Sequence, residues 1–343
     1  MAPLQISRTH FRGSFQAGKH IPSESPLEEA WSFCSRYASL DTIKRELVPN
    51  PPRNDWDGLC RYASARIRQA VELWNASRGS SLLSSPLTLY YSMLNLARGV
   101  HSLRYEIRPS PAHGLKSVVD TEDLLRTRIT LREGSFLEFA IANGGPARRG
   151  DSLSLRDCLL SIPEIAADYA LSSGGDAGCY PVRVVAPSNG ALRLEFVFSP
   201  ASFDSTWSSD FPQLASDFAL DPGSGALVIR DQANSDTPEK VKAVINKVLW
   251  PPMWWIDDVA DSFPRWWAQR RCANTVLLPR MLYYLAAAHA LSTAVRYEPD
   301  VMLTAADPAS QHHWLLGRFL KAAERYFPQQ VISQLHHPEA VFF

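Results

Sequence analysis

The stretch over residues 86–116 constrains the fold more than any other part of the chain. It reads PLTLYYSMLNLARGVHSLRYEIRPSPAHGLK, an apolar run at helical spacing that ends in two prolines. Proline removes a backbone donor and clashes with the preceding turn, so the helix has to end before Pro109. The sequence therefore predicts a helix over residues 86–103 and then a loop that presents Arg108 and His113, with four residues between them.

Composition limits the class of protein. The chain has 343 residues, the size of one large or two modest domains. Hydrophobic residues make up 45% and charged residues 20%, which is enough apolar material for a packed core. Lys plus Arg equals Asp plus Glu at 35 each, so the whole chain exerts no net attraction on nucleic acid. Any phosphate site therefore has to be local.

Cysteine usage and hydropathy bear on the compartment. The five cysteines are widely spaced and form no C-x-x-C pair, which indicates neither a zinc site nor a disulfide framework. Reduced thiols of this kind are typical of the cytoplasm. The first 15 residues lack the apolar core of a signal peptide. The most apolar window, residues 276–294, contains a proline, an arginine and a histidine, so we predict a buried helix and no membrane contact.

Helical spacing recurs towards both ends of the chain. A serine N-cap and acidic residues in the first turn predict a helix over residues 26–47. Residues 56–77 keep their apolar side chains on one face and predict a longer helix. From residue 238 onward the pattern is helical again, with a stop at successive prolines that include Pro328.

Alternating patterns mark the middle of the chain as β-containing. Residues 128–131 and 135–141 alternate on either side of a Glu-Gly dipeptide and predict a hairpin. Residues 180–186 and 191–199 flank an Asn-Gly dipeptide, whose tolerance of positive φ favours a tight hairpin turn. The stretch over 200–225 is predicted to be rich in loops.

Half of the ten tryptophans lie in the segment 250–267. Aromatic residues at this density indicate a packed helix junction or an interface, and we favour the packed junction. A stacking pocket for a small-molecule substrate, lined by Trp254 and Trp266, is a further alternative.

These patterns together predict an α+β fold that is predominantly α-helical. Changes of composition divide the chain into an irregular arm (1–25), a first helical domain (26–127), an α/β insert with hairpins (128–235) and a C-terminal helical region (236–343). We expect the C-terminal region to pack back on the first helical domain, because each presents an apolar helix face that has to be buried.

The order of several motifs resembles a known family. The run PLTLYYSMLNLARG is followed by HGL, by GSFLEF and SLRDCLLSIPEI, and late in the chain by LYYLAAAHALSTAVRYEPD and FLKAAERYFP. In this order, from about Trp56 onward, the motifs resemble the YaaC-like family of bacterial proteins. That family has no settled biochemical activity, so the resemblance implies a fold and leaves the function to the site.

The first helical domain, residues 26–127, also resembles the HEPN superfamily of small helical bundles. In that superfamily a tyrosine-rich helix precedes an R-x4-6-H motif. Here a YYS tripeptide lies on the predicted helix over 86–103, and Arg108 and His113 match the spacing. The resemblance implies a metal-independent endoribonuclease in bacterial defence or stress response, acting as a homodimer with two protomers across the site. Pro109 departs from the polar residue that follows the arginine in many active members.

Each candidate residue has a chemical role in such a reaction. Neutral His113 would take the proton of the RNA 2′-hydroxyl as a general base. Arg108 would hold phosphate oxygens with its planar fork. Lys116 would add a second cation as part of the substrate-binding set, and Ser92 and Asn95 would orient the imidazole. Cleavage would leave a 2′,3′-cyclic phosphate, and it would require no metal and no other cofactor.

A structural interpretation stays open beside the catalytic one. His113 would then cap a helix, and Arg108 would pair with Glu106 or Asp120 on the surface. In that case the chain is a non-catalytic helical protein that binds a nucleotide or a protein partner, and a regulatory protein partner is compatible with either function. His101, on the apolar helix, is predicted to be a satisfied interior histidine.

Overall fold

The structure is a computed structural model, and its elements confirm a predominantly helical α+β fold. The residues that it describes are 4–5, 20–21, 25–47, 55–173, 177–186, 191–197, 203–231, 237–248, 265–271, 276–335 and 341–342.

Helices account for most of the regular structure. In chain order they are α1 (Pro26–Arg36), α2 (Leu40–Glu46), α3 (Trp56–Arg78), α4 (Ser85–Arg104), α5 (Ser135–Ala142), α6 (Leu155–Leu160), α7 (Pro163–Ser173), α8 (Phe203–Asp210), α9 (Pro212–Ala215), α10 (Pro238–Val248), α11 (Arg280–Tyr297), α12 (Pro299–Ala306) and α13 (Gln311–Ile332).

The strands are short. In chain order they are β1 (Leu4–Gln5), β2 (His20–Ile21), β3 (Leu115–Val118), β4 (Arg128–Leu131), β5 (Ser152–Ser154), β6 (Cys179–Ala186), β7 (Arg193–Phe196), β8 (Phe218–Leu220), β9 (Leu227–Ile229), β10 (Arg265–Gln269) and β11 (Val341–Phe342).

Contacts divide the chain into two compact units. The helical unit comprises residues 20–159 and 274–343, and the sheet unit comprises residues 1–19 and 160–273. These units are defined by contacts between elements, whereas the division predicted from the sequence follows changes of composition, so that division stays a prediction.

Helices α3 and α4 form a closely packed pair in the helical unit, as the spacing of their apolar residues predicts. A Cβ atom at Gly99 of α4 would lie 2.8 Å from Cγ1 of Ile67 and 3.2 Å from the carbonyl oxygen of Ala63 on α3. Glycine at this position therefore permits the close approach of the two helices. Helix α11 packs on α4, and its residues from Arg280 to Ala294 are all buried, which confirms the predicted buried helix.

Pro328 lies inside α13, although the sequence predicted that the helix stops there. Proline cannot donate the hydrogen bond that the carbonyl of Glu324, four residues earlier, would otherwise accept. The indole N–H of Trp31 on α1 donates to that carbonyl at 2.9 Å instead. A tertiary contact thus satisfies the group that the proline leaves free, and the helix continues to Ile332.

Two other predictions for the helical unit are wrong in part. The single helix over 26–47 is two helices, α1 and α2, separated by a turn at residues 37–39. The strand predicted over 135–141 is the helix α5, so the hairpin is absent from these described residues. Strand β4 pairs instead with β3 and β5 in a three-stranded antiparallel sheet, with Leu115 opposite Leu131 and Ile129 opposite Leu153.

The sheet unit is built on a six-stranded antiparallel sheet in which β6 pairs with β7, β10 and β1, and β7 pairs with β9. The predicted hairpin over 180–199 is confirmed by the register of Val182 opposite Phe196, while its turn lies outside the described residues. Buried side chains such as Val182, Leu194, Phe211 and Trp266 form the core of the unit.

One further prediction for the sheet unit is wrong, and another is confirmed only in part. The stretch over 200–225, predicted as loop, contains α8, α9 and β8. Trp266 is buried in the core, as the favoured prediction of packed tryptophans requires, but it lies on strand β10 and not at a helix junction, with Trp267 half-buried beside it. Trp254, the other wall of the alternative stacking pocket, lies outside the described residues, so that alternative stays a prediction.

Candidate functional site

The predicted site lies mainly on the segment that joins α4 to β3, residues 105–114. The start of α5 holds this segment: Ser135 N–H donates to the carbonyl of Ala112 at 2.9 Å, and Phe136 N–H donates to the carbonyl of His113 at 3.0 Å. The free amides at a helix start are the groups that attract an anion, and these two are already occupied. The residue after Gly114 begins a strand, so no helix starts at His113 either.

Arg98 on α4 holds the same segment through hydrogen bonds to its backbone carbonyls. Its guanidinium donates to the carbonyls of Ser110 at 3.2 Å and Pro111 at 2.8 Å, and to the hydroxyl of Ser135 at 3.3 Å. Arg98 is buried, and burial lowers the pKa of its guanidinium. A buried arginine that bonds two loop carbonyls fixes the course of the chain just before His113.

His113 is half-buried, and its ring is fixed by the backbone. Its Nδ1 atom accepts a hydrogen bond from Leu115 N–H at 3.1 Å, so Nδ1 carries no proton. Burial, and then the positive charges of Arg98 and Arg296, lower the pKa of the imidazole below its usual range. The ring is therefore neutral at pH 7 with its proton on Nε2, and it presents a hydrogen-bond donor on that side.

A second imidazole lies against the first. The ring centroid of His289, on α11, is 4.9 Å from that of His113. The Nδ1 atom of His289 lies 2.8 Å from the hydroxyl oxygen of Ser117 on β3. His289 is only 3% exposed, and burial, followed by the charges of His113 and Arg296, lowers the pKa of its imidazole to about 3. Both rings are thus neutral at physiological pH.

Tyr90 closes the same region from α4. Its ring meets His289 edge-on at 5.2 Å and His113 at 6.5 Å between centroids. The side chain is 1% exposed, and its hydroxyl has no hydrogen-bond partner in the part of the chain that the structure describes. Burial raises the pKa of the phenol, so the hydroxyl stays protonated and can donate a hydrogen bond. We call Tyr90, His113, Ser117 and His289 the imidazole cluster.

Arg108 is directed away from the imidazole cluster. Its guanidinium carbon lies 5.6 Å from the ring centroid of Tyr62 on α3, and Nη2 donates to the carbonyl of Gly58 at 3.4 Å. The guanidinium carbon of Arg66 lies 5.2 Å from the centroid of the same ring. Arg108 therefore joins arginines of α3, and no contact between Arg108 and His113 occurs among the described residues.

The other three predicted residues have different surroundings. Ser92 is buried and its hydroxyl donates to the carbonyl of Ala70 at 2.7 Å, which ties α4 to α3. The Asn95 side chain accepts a hydrogen bond from Arg66 at 2.9 Å. Neither of them contacts the His113 imidazole in the described structure. Lys116 is exposed on the face of β3 opposite to Ser117, because neighbouring strand residues point to opposite faces.

A groove runs along the outer surface of α3. Its main part has a volume of about 700 Å³ and is lined by Leu40, Arg61, Tyr62, Ser64, Ala65, Arg66, Arg68 and Gln69. A second part of about 430 Å³ shares Arg66 and Gln69 and adds Glu72, Leu73, Tyr91 and Asn95. We call these two parts the α3 groove.

The α3 groove is rich in unpaired positive charge. None of its arginines, Arg61, Arg66 and Arg68, forms an ion pair with a carboxylate among the described residues, and the same holds for Arg108 above Tyr62. Unpaired guanidinium groups that share one surface are typical of a site for phosphate oxygens.

Two classes of site find no support in the described residues. No group of three or more His, Cys, Asp or Glu side chains stands close enough there to hold a metal ion. Among the helices that the structure describes, none combines the length and the apolar character needed to cross a membrane.

Sequence reasoning missed Arg98 and His289. The available signal was a polar side chain within an apolar helix: Arg98 follows LNLA on α4, and His289 lies within LAAAHAL on α11. His101, predicted to be a satisfied interior histidine, is buried and contacts the rings of Tyr105 and Phe139, which confirms its interior position. The sequence pattern is the same for all three residues. Only the packing of α4 against α11 shows that Arg98 and His289 lie near the predicted site and that His101 is an interior residue.

Comparison with known proteins gives one family. The family described as YaaC-like protein matches residues 42–335, more than half of the chain. No curated protein and no solved structure matches the sequence. This match confirms the predicted resemblance to the YaaC-like family. The resemblance of the first helical domain to the HEPN superfamily stays a prediction.

Proposed function

The chain belongs to the YaaC-like family, and we propose that it binds single-stranded RNA along the α3 groove. The observation that carries this proposal is the set of four arginines around Tyr62 that have no carboxylate partner among the described residues. Because the protein has no net charge, these side chains supply the local attraction that a polyanion needs.

The shape of the groove favours a strand over a mononucleotide. The lining residues from Arg61 to Glu72 span about 17 Å along the helix axis, which is several times the width of one phosphate group. Tyr62 is half-buried, and Tyr91 is 36% exposed. Aromatic rings between cations are the feature on which successive bases of a single strand stack.

Removing three of the positive charges tests this proposal. We expect the variant Arg61→Gln/Arg68→Gln/Arg108→Gln to bind a labelled single-stranded RNA of about 12 nucleotides at least tenfold more weakly, measured by fluorescence anisotropy. The slope of log K against log salt should fall by about 2, because each lost phosphate contact removes about 0.7.

The matched control is Arg126→Gln/Arg149→Gln/Arg156→Gln. It changes the net charge equally, and its three arginines are exposed and paired with Asp123 or Glu133 on other surfaces of the helical unit. Equal weakening in the two variants would show that only net charge matters. Absence of RNA binding by the wild-type protein at low salt would contradict the proposal outright.

A metal-independent endoribonuclease is the second candidate, with the role in bacterial defence and the two-protomer site that the HEPN resemblance implies. The observation that favours it is the half-buried His113 ring near the cations of Arg98 and Arg296, whose charge would stabilise a phosphorane. The predicted role as a general base needs a free lone pair on Nε2, but in neutral His113 this nitrogen carries the proton. His113 would therefore act as a hydrogen-bond donor to the phosphate.

Cleavage assays separate the two candidates. An endoribonuclease would cut total or transfer RNA in the presence of EDTA, leave 2′,3′-cyclic phosphate ends, and lose this activity in His113→Ala. Because the geometry makes His113 a donor, we expect RNA to stay intact at protein concentrations that saturate binding. Cyclic-phosphate products that depend on His113 would reverse the ranking of the two functions.

A further inference from the structure

We infer that the imidazole cluster, together with Arg98 and Arg296, binds a single phosphate group presented at the end of a ligand. This site is separate from the α3 groove and stands on different residues. The chemistry it recognises is a phosphate monoester or free phosphate, and the experiment below distinguishes these sources.

The site consists of hydrogen-bond donors without an acceptor. The Tyr90 hydroxyl is buried and has no partner among the described residues. His113 is half-buried, and its Nε2–H forms no hydrogen bond with the described residues, because the backbone contact of the ring uses Nδ1. A buried donor without an acceptor costs free energy, so its presence calls for a ligand that supplies one.

Two cations lie on the same helices as Tyr90 and His289. Tyr90 and Arg98 are eight residues apart on α4, and His289 and Arg296 are seven apart on α11, so each pair shares one face of its helix. The charges of Arg98 and Arg296 act on both Tyr90 and His113. Neither arginine forms an ion pair in the part of the chain that the structure describes. Arg296 donates through Nε to the carbonyl of Ser292, and its guanidinium carbon lies 5.0 Å from the centroid of the Tyr297 ring.

No carboxylate of the described residues shifts the pKa of Tyr90, His113 or His289. Apart from burial, the charges of Arg98 and Arg296 favour a lower pKa for Tyr90 and His113, and Tyr91 favours a higher pKa for Tyr90. The carboxylate of Glu138 shifts the pKa of the neighbouring Arg98, and it accepts a hydrogen bond from Ser110 N–H at 2.9 Å. Two donors and two cations without a local anion fit the oxygens of a phosphate.

The burial of the site favours a phosphate at the end of a ligand over a phosphate within a nucleic-acid strand. Tyr90 is 1% exposed and His289 is 3% exposed, so the inner side of the site is closed, whereas His113 reaches the surface. A strand that runs through a site needs two openings, and a terminal phosphate needs one. The doubly charged monoester also gains more from two nearby arginines than a singly charged diester does.

The test uses Tyr90→Phe, which removes only the unpartnered hydroxyl, and Tyr105→Phe as its matched control. The Tyr105 hydroxyl already donates to the carbonyl of Ala142 at 2.9 Å. Inorganic phosphate should raise the thermal unfolding temperature of the wild-type protein and of Tyr105→Phe. In Tyr90→Phe the apparent phosphate affinity should fall about tenfold, while stability without phosphate is not lowered.

Oligonucleotide arms identify the source of the phosphate. RNA of about 12 nucleotides with a 5′-phosphate, a 3′-phosphate or neither should show a preference of about tenfold for one phosphorylated end, and Tyr90→Phe should abolish it. Arg296→Gln, at an exposed position, provides a second variant and should abolish it as well. Response to inorganic phosphate alone would identify free phosphate as the ligand.

Two results would overturn the inference. One is a wild-type protein that responds neither to inorganic phosphate nor to end-phosphorylated RNA. The other is a phosphate response that persists in Tyr90→Phe and Arg296→Gln. Failure of the α3 groove proposal is distinguishable, because the triple arginine variant of that groove should keep the phosphate response.

Discussion

Replacement of Gly134 by alanine is expected to destabilise the helical unit by about 4 kcal/mol. Gly134 has a φ of +145°, a conformation that residues with a side chain rarely adopt. A Cβ atom there would lie 2.6 Å from the amide nitrogen of Gly114 and 2.7 Å from the carbonyl oxygen of Ala112. Both neighbours are backbone atoms of the segment that carries His113, so neither can rotate away.

Urea unfolding of Gly134→Ala and Gly144→Ala measures this effect. Gly144 also has a positive φ, of +76°, but no atom lies within 4 Å of the Cβ that alanine would add. Its replacement should cost about 1 kcal/mol from backbone strain alone. Equal losses in the two variants would show that the close approach of residues 112–114 to Gly134 does not exist.

Acid is expected to destabilise the helical unit through two buried histidines. Burial lowers the pKa of His101 to about 4 and, with His113 and Arg296, that of His289 to about 3. In the unfolded chain both rings have a pKa of about 6.5. Below that pH they bind protons in the unfolded state, while in the folded state they stay neutral. The stability they confer is complete above pH 6.5 and is lost as the pH falls towards 4 and then 3. Between pH 7 and pH 5 we expect a loss of about 3 kcal/mol, allowing for solvent screening.

Unfolding free energies of His101→Leu and His289→Gln at pH 7 and pH 5 check this expectation. Each substitution removes one titrating ring, so each should reduce the pH dependence by roughly half. Ser102→Ala, at a buried neighbour of His101, provides a control that changes packing but should leave the pH dependence unchanged. A wild-type protein that is equally stable at both pH values would contradict the burial of these rings.

Local patterns were sufficient for the long helices. In α3 and α4 the apolar residues repeat at helical spacing over five or more turns, and the predicted bounds agree with Trp56–Arg78 and Ser85–Arg104 to within one residue. The pattern over 135–141 was misread because Phe136, Phe139 and Ala140 satisfy helical spacing as well as partial alternation. Short apolar runs do not distinguish the two periods.

The candidate site was predictable only in part. The sequence placed Arg108 and His113 on one loop after the tyrosine-rich helix, and the structure has them there. Their separation could not be predicted, since it depends on Tyr62 of α3 attracting the Arg108 guanidinium and on His289 of α11 packing against His113. Both partners come from elements distant in the sequence, and no local spacing encodes such contacts.

The sequence by itself determined the helical class, the bounds of the long helices and the loop that the prolines create after α4, because these follow from periodicity and from the missing N–H of proline. Tertiary structure alone decided that α13 passes through Pro328, that Arg98 bonds the carbonyls of the loop, and that the two imidazoles meet beside the Tyr90 ring. Each of these depends on a buried polar group whose partner lies far away in the chain, and the cost of leaving such groups unsatisfied is fixed only when the elements pack.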